Sequence, residues 1–519
     1  MHRLVIALVS LLGLTAATFV AGYLFLFSAS TDRAAALAPA NSAFYVNIYL
    51  QPSTGQQMNL SGLIGRLPGF ADDASLDEKV DQVVQNLLAG IGIDYRAQVK
   101  PWLGNQVAIA GWPGGEGVAE PIFVVIADVR DPEAARASVA DLVAGGGELF
   151  TTETYRGVEL QVSDEATYAF VDDMLVVGPE AAAVRSVVDA SDSGDSLADR
   201  DDFASTMAGL EPDHLAALFL DLAALGEATG TDGQLSSVST AGAVLVAEAD
   251  GLRLSGSAPY DLSSAEPSDR AGFALGGEPS SLVDWMPEST IAEVVVFGLR
   301  QTLEDAEAAV GEVPEGDDIA SSIDTFRALA AFGLGIDLDA DLLPLLDREV
   351  AIAIGGFAGD LPSGQLLLRP TDPEAAAAAV DRLAGSLSSI GASVETETIG
   401  ETEITVVAIP ETAEVAYALV DGILILGLSA SDVDAAITAH ASGRTLGSSD
   451  RYTRTFDVAG TRAGNEAFVD VGALLDLLGE PSELDADARD ILLQVGTVGF
   501  TAPSRDDQIE FHAVLTVDP

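Results

Sequence analysis

The chain has 519 residues, 81 of them Asp or Glu against 24 Lys or Arg, for a net charge of −57, with 48% hydrophobic residues and no cysteine. So many aliphatic residues exclude a disordered acidic chain, a single long uncharged run excludes a polytopic membrane protein, and the absence of cysteine excludes disulfide scaffolds and thiolate metal sites. The lysines are Lys79 and Lys100, with no basic stretch to offset the acid, so nucleic acid and anionic headgroups, which need clustered cations, are poor partners.

After Met1-His2-Arg3, the run from Leu4 to Phe27 carries no charged residue, and at about 1.5 Å per helical residue it is long enough to cross a bilayer. This reads as a signal-anchor transmembrane helix over 1–27. It exceeds the apolar core of a cleaved signal peptide, although Ser28-Ala29-Ser30 offers small residues at which a peptidase could cut. Arg3 on the short flank places the N-terminus in the cytoplasm and the C-terminal body outside it, as a single-pass protein of the cell membrane.

Beyond a linker at 28–36 the sequence repeats itself at an offset of about 245 residues. Leu37-Ala38-Pro39 returns as Trp285-Met286-Pro287, Val107-Ala108-Ile109-Ala110 as Val350-Ala351-Ile352-Ala353, and Asp131-Pro132-Glu133 as Asp372-Pro373-Glu374. Tyr168-Ala169-Phe170-Val171-Asp172 returns as Tyr417-Ala418-Leu419-Val420-Asp421, and Phe219 and Asp221 as Phe468 and Asp470. The reading is an internal duplication, with copy one at 37–262, a linker at 263–282 rich in Ser, Pro, Asp and Gly, and copy two at 283–519.

Within each copy, 44–50 and 294–299 are apolar runs, and Ile122–Val129 and 365–368 read as strands. Asp131-Pro132 and Asp372-Pro373 supply an N-cap and a first-turn proline for helices running to about 143 and 383. Short strands at 157–162, 168–171 and 174–177 follow, with Asp172-Asp173 and Asp421-Gly422 as two-residue hairpin turns. Helices at 179–189 and from Asp201, and strands at 216–220, 244–247 and 252–257, complete the copy. The predicted fold class is α+β: the N-terminal transmembrane helix, then two tandem copies of a helix-on-antiparallel-sheet domain.

No residue of the sequence stands out as catalytic, cofactor-binding or metal-ligating. The four histidines, His2, His214, His440 and His512, are too few for a histidine-rich site, and neither His214 nor His440 recurs in the other copy, where Ala463 and Ser191 stand. GxSxG and HExxH motifs are missing. Gly114-Gly115-Glu116-Gly117 and Gly145-Gly146-Gly147 lack the Lys-Ser/Thr of a phosphate loop and read as turns. The acidic run Asp189, Asp192, Asp195, Asp199, Asp201 and Asp202 is the best calcium candidate, but copy two keeps only Asp450 of that set, while Gly194 and Gly443 match, which points to a turn. Asp221 and Asp470 sit as N-caps, and Trp102 and Trp112 read as packing residues.

Leu37-Ala38-Pro39, Tyr45-Val46-Asn47, the stretch from Leu63 to Phe70 and that from Val99 to Gly104 resemble a bacterial family of membrane-anchored extracytoplasmic proteins carrying a domain of unknown function. The resemblance covers most of 37–519 and implies placement, but no activity and no site residue. The leading expectation is therefore a non-catalytic binding or structural module at the cell envelope, tethered by its N-terminal helix, without a cofactor. Its candidate partners are an envelope protein or an apolar ligand, and nucleic acid is not one of them. Two alternatives stand beside it: a carrier with an apolar tunnel lined by residues such as Phe123 and Val125, and a hydrolase using two convergent carboxylates.

Overall fold

The computed structural model describes residues 32–51, 53–66, 78, 81, 84–85, 93–114, 121–146, 149–229, 238–260, 275–310, 327, 337–358, 361–389, 391–399, 402–409, 413–478, 492–505 and 508–518. The anchor at 4–27, residues 115–117 of the first glycine-rich stretch and most of the inter-copy linker lie outside them. Among the described residues no helix is long and apolar enough to cross a membrane. The chain divides into two units between Ser264 and Ala265, and each is an α+β body in which helices pack on an antiparallel sheet.

Unit 1 contains β1 (Phe44–Tyr49), β2 (Leu103–Trp112), β3 (Ile122–Val129), β4 (Thr151–Tyr155), β5 (Val158–Val162), β6 (Thr167–Val171), β7 (Met174–Gly178), β8 (Ala216–Asp221), β9 (Thr240–Ala247) and β10 (Gly251–Pro259). They lie side by side in the order β4-β5-β6-β7-β3-β2-β1-β8-β9-β10, every pair antiparallel. The helices are α1 (Thr54–Arg66), α2 (Pro132–Gly146), α3 (Ala181–Ser193), α4 (Asp201–Ala208) and α5 (Leu222–Thr229).

Unit 2 holds β11 (Ala292–Phe297), β12 (Glu349–Ala358), β13 (Leu361–Arg369), β14 (Ser393–Ile399), β15 (Thr402–Ile409), β16 (Ala413–Val420), β17 (Ile423–Gly427), β18 (Asn465–Asp470), β19 (Val495–Ala502), β20 (Ser504–Arg505) and β21 (Gln508–Val517). Their order is β14-β15-β16-β17-β13-β12-β11-β18-β19-β21, again antiparallel throughout, with β20 folded onto β21. Strand for strand this is the order of unit 1. The helices of unit 2 are α6 (Leu299–Val310), α7 (Pro373–Ser389), α8 (Ala430–Ser442), α9 (Asp450–Ala459) and α10 (Val471–Leu478).

Local chemistry accounts for the joints. Asp172 and Asp173 both have positive φ (47° and 62°), as do Asp421 and Gly422 (50° and 82°), the backbone of a two-residue turn whose twist matches that of its flanking strands. Arg156 and Gly157 form the same kind of turn (44° and 85°). Gly157, expected as the first residue of a strand, therefore belongs to a hairpin turn, and β4 precedes it. Its strand pattern is muted because Thr151, Thr152 and Glu153 leave few apolar residues to alternate. Asp131 Oδ1 accepts from the N–H groups of Glu133 and Ala134, and Asp372 Oδ1 from that of Ala375, so both Asp-Pro pairs start helices. Gly145 and Gly146, expected in a turn, are instead the last residues of α2. Gly194 and Gly443 end α3 and α8 in the left-handed conformation.

The packed bodies extend into both expected linkers. Ala34 and Ala35 are buried in unit 1, and Arg33 pairs with Asp128 at 2.9 Å. On the other side, Ser280, Ser281 and Leu282 bind Glu349 of β12.

The face of each sheet that lies under α3 and α4 in unit 1 and under α8 and α9 in unit 2 is here termed inner. In unit 1 it carries Tyr45, Ala108, Ile126, Val176 and Phe219 under α3 and α4. In unit 2 it carries Val295, Ala351, Leu367, Ile425 and Phe468 under α8 and α9. The opposite face of unit 2 is covered by α7 over β13 and β17, where Ala376, Val380 and Ala384 meet Leu368 and Leu424.

Candidate functional site

The residues singled out in the sequence are mostly structural, and they are dispersed. In the acidic run, Asp189 accepts from Tyr155 Oη at 3.0 Å and pairs with Arg156 Nε at 2.7 Å, and Arg156 also holds Asp192. Asp199 caps Ser196, Asp202 is bound by Arg200, and Asp201 opens α4. Asp189 and Asp192 thus share Arg156 while Asp202 is held by Arg200 and Asp199 serves a turn, and among the described residues no three His, Asp or Glu side chains converge as metal ligands. His214 Nδ1 shares a hydrogen bond with the Glu211 carbonyl at 2.6 Å. The His440 ring stacks on Trp285 at 3.8 Å. Trp102 and Trp112 are buried, and Trp102 Nε1 donates to the Gln98 carbonyl. Phe123 lies against Gly111 and meets Phe44 edge-on at 6.2 Å, so at this point of β2 and β3 the space is filled with side chains.

Asp221 and Asp470 do cap helices, accepting from the N–H groups of Ala224 and Ala473. Each also grips an arginine that the sequence comparison missed. Arg200 Nη2 donates to Asp221 Oδ2 at 2.7 Å and its Nη1 to the carbonyls of Ala40 and Ser42. In unit 2 Arg451 donates to Asp470 and to the carbonyls of Glu288 and Thr290. In the ungapped alignment Arg451 falls on Asp202, so the same clamp is reached from positions two residues apart.

The densest unassigned chemistry is on the inner face of unit 2. Glu293 on β11 is opposite Phe468 of β18, and Glu466 is opposite Val295, so the two glutamates are diagonal neighbours on one face, about 7–8 Å apart at the backbone and within reach of each other's long side chains. Both are 2% exposed. Tyr452 Oη on α9 donates to Glu466 Oε1 at 2.8 Å, while Glu466 Oε2 and both carboxyl oxygens of Glu293 have no hydrogen-bond partner. Burial drives the Glu293 carboxyl well above the usual carboxylate range, and the neighbouring Glu466 charge adds to it. Burial likewise pushes Glu466 up to about 7, opposed by the Tyr452 hydrogen bond and by Arg462. A third glutamate on this face, Glu349, is fully buried but satisfied: Arg369 lies at 2.8 Å, and Ser280, Ser281 and the Leu282 N–H donate to it.

Unit 1 has a polar cluster at the matching place, built differently. Tyr45, matching Glu293, donates through Oη to Asp32 Oδ1 at 2.7 Å, and Asn47 donates to Gln106, the match of Glu349, at 3.0 Å. Ala217 stands where unit 2 has Glu466. The signal available in the sequence was this exchange of Tyr45 and Ala217 for two acids.

The uncovered part of the other face of unit 2 is apolar. Val294, Ile352, Ile354, Val498 and Phe500 are exposed there, and the register places Val294 beside Ile352, Ala292 beside Ile354, Ala467 beside Phe500 and Val469 beside Val498. The contrast with unit 1 is sharp: Ile352 is 52% exposed where its counterpart Ile109 is 4%, and Phe500 is 40% exposed where Ala243 is 2%.

Residues 4–516 match the model of a family described as "Protein of unknown function (DUF3352)". The chain belongs to that family. Membership accords with the resemblance carried by Leu37-Ala38-Pro39 and the motifs after it. No curated protein matches the sequence. Among solved structures the chain is similar to crystal form III of TP0453, at 10% identity over 49% of this chain and 90% of that one with a TM-score of 0.25. Crystal form I of TP0453 matches at 11% identity over 49% and 88%, with a TM-score of 0.24.

Proposed function

We propose that this protein is a non-catalytic binding module of the cell envelope, tethered by residues 4–27, which docks the apolar surface of a partner protein on the open strand face of unit 2. The observation that carries this reading is the contiguous exposure of Val294, Ile352, Ile354, Val498 and Phe500. Leaving apolar area in water forgoes about 25 cal/mol per Å², and contiguous patches of this kind mark interaction surfaces. An open strand face suits another protein better than a small apolar ligand, which is normally enclosed in a cavity. The net charge of −57 favours a partner that is neutral or basic around its apolar centre. The convergent carboxylates give the hydrolase reading little support, because Glu293 and Glu466 are buried where water and substrate have no access.

Replacing Ile352 and Phe500 together by Asp tests the docking. The full chain extracted in mild detergent should then lose its partner on a native gel while its melting temperature stays within a few degrees, since both side chains are exposed. Unchanged migration would refute the reading. The tether has its own check: protease added to intact spheroplasts should digest the body, and protection until lysis would count against it.

We also propose that the units are copies produced by duplication. The colinear sequence matches, the common strand order and the recurring arginine clamp support this. Superposition of solved structures of residues 121–222 and 362–471 should align strands one for one, and differing strand orders would refute it.

A further inference from the structure

We propose that Glu293 and Glu466 form a buried acid pair that binds a proton in the folded protein at neutral pH, and that unit 2 loses stability as the pH rises and this proton is released. Neighbouring strands present the two side chains on the same face, both almost fully removed from water, and three of their four carboxyl oxygens lack a partner. An ionised carboxylate without donors in such a place is strongly disfavoured, and two of them side by side are more so. A neutral carboxyl resolves both difficulties, because its O–H can donate to the free oxygen of its neighbour and leave one charge, or none, on the pair. The pair titrates as a unit, so the proton belongs to both residues.

The groups around the pair fit a proton as the ligand. Tyr452 aims a donor at Glu466, where a bound cation would need acceptors. Arg462 lies over the Tyr452 ring at 5.1 Å and Arg451 over the Phe468 ring at 5.7 Å. Their positive charge is set against that of the neighbouring acids. Glu349 is neutralised by Arg369, Asp432 of α8 accepts from Ser363 and Ser429, and His512, opposite Thr501 on β21, lies 3.7 Å from Glu510. None of these donates to Glu293.

The sign follows from linkage. The folded state holds a proton that the unfolded chain releases near the ordinary glutamate value, so the stabilisation is fully present below that value and is lost as pH rises from it through about 7, to which burial pushes Glu466 up, and beyond, since burial holds Glu293 well above the usual carboxylate range. Acidification also relieves general repulsion among the surface acids, so the test must isolate the pair. Glu293→Gln keeps the shape and removes one of the two titrating carboxyls. Its melting temperature relative to wild type should be several degrees higher at about pH 8 and nearly unchanged at about pH 5, while an exposed control, Glu403→Gln, should shift little and equally at both. In infrared spectra, the protonated-carboxyl band should be present in wild type at neutral pH and weaker in Glu293→Gln, which keeps only Glu466. Equal shifts of Glu293→Gln at both pH values, or a wild-type spectrum without that band at neutral pH, would overturn the proposal. Should Glu293→Gln fail to fold, Glu466→Gln and the wild-type infrared titration between the same two pH values decide it, and loss of the band on alkalinisation is the expected result.

Discussion

Replacing Arg369 by Met should destabilise unit 2 by about 3–5 kcal/mol, the range for leaving one member of a buried ion pair without its partner. Glu349 is fully buried, and its Oε2 lies 2.8 Å from Arg369 Nη2. The other contact of Arg369, with Glu278, is long at 3.7 Å. Without the guanidinium, Glu349 keeps the donors from Ser280, Ser281 and Leu282 but loses the counter-charge that Arg369 places 2.8 Å away. These donors also tie the segment before β11 to the sheet, so the loss should spread to 280–284. Changing Glu349 to Gln in the same chain should recover much of the loss, because a neutral amide no longer needs a cation. Hydrogen exchange of peptides from β12 and β13 measures both effects, and a single variant costing less than about 1 kcal/mol would contradict the assigned role.

Phe468→Ala should cost a comparable amount, about 3–5 kcal/mol, from lost burial and the cavity left behind. The ring is fully buried and meets Tyr452 at 5.6 Å. Gly499 sits opposite it on β19, where an added Cβ would strike Thr455, so the surroundings are packed too tightly to admit another side chain in compensation. Phe468→Leu should cost less than about 1.5 kcal/mol by keeping most of the volume. Phe500→Ala, on the exposed side of neighbouring β19, should be close to neutral. A large cost at Phe500 with a small one at Phe468 would mean that the two sheet faces are assigned the wrong way round.

Much of the fold could be read locally. Asp131-Pro132, Asp172-Asp173, Asp421-Gly422 and the caps Asp221 and Asp470 act through their own backbone, and the structure places each as its chemistry dictates. The site was harder to read because its defining contact joins Glu293 and Glu466 across paired strands that are far apart in sequence. The apolar run 294–299 leaves Glu293 just outside the apparent core, and period-two alternation within Ala292–Phe297 does not say which side faces inward. The structure turns Glu293, Val295 and Phe297 in and leaves Val294 out, the reverse of what a lone acid in a strand suggests. The Arg200 and Arg451 clamps escaped for another reason: an ungapped comparison pairs residues by position, and the two guanidinium groups reach one spot from different positions.

The docking face itself is tested most directly by photocrosslinking in intact cells, with a photoreactive residue placed in the full chain at Ile352, at Phe500, or at the exposed Leu149 of unit 1. Positions 352 and 500 should give the same protein adduct, lost when Ile354 is changed to Asp, and position 149 should give no such adduct. Lipid adducts alone at 352 and 500, or no adduct from either, would contradict protein docking on this face.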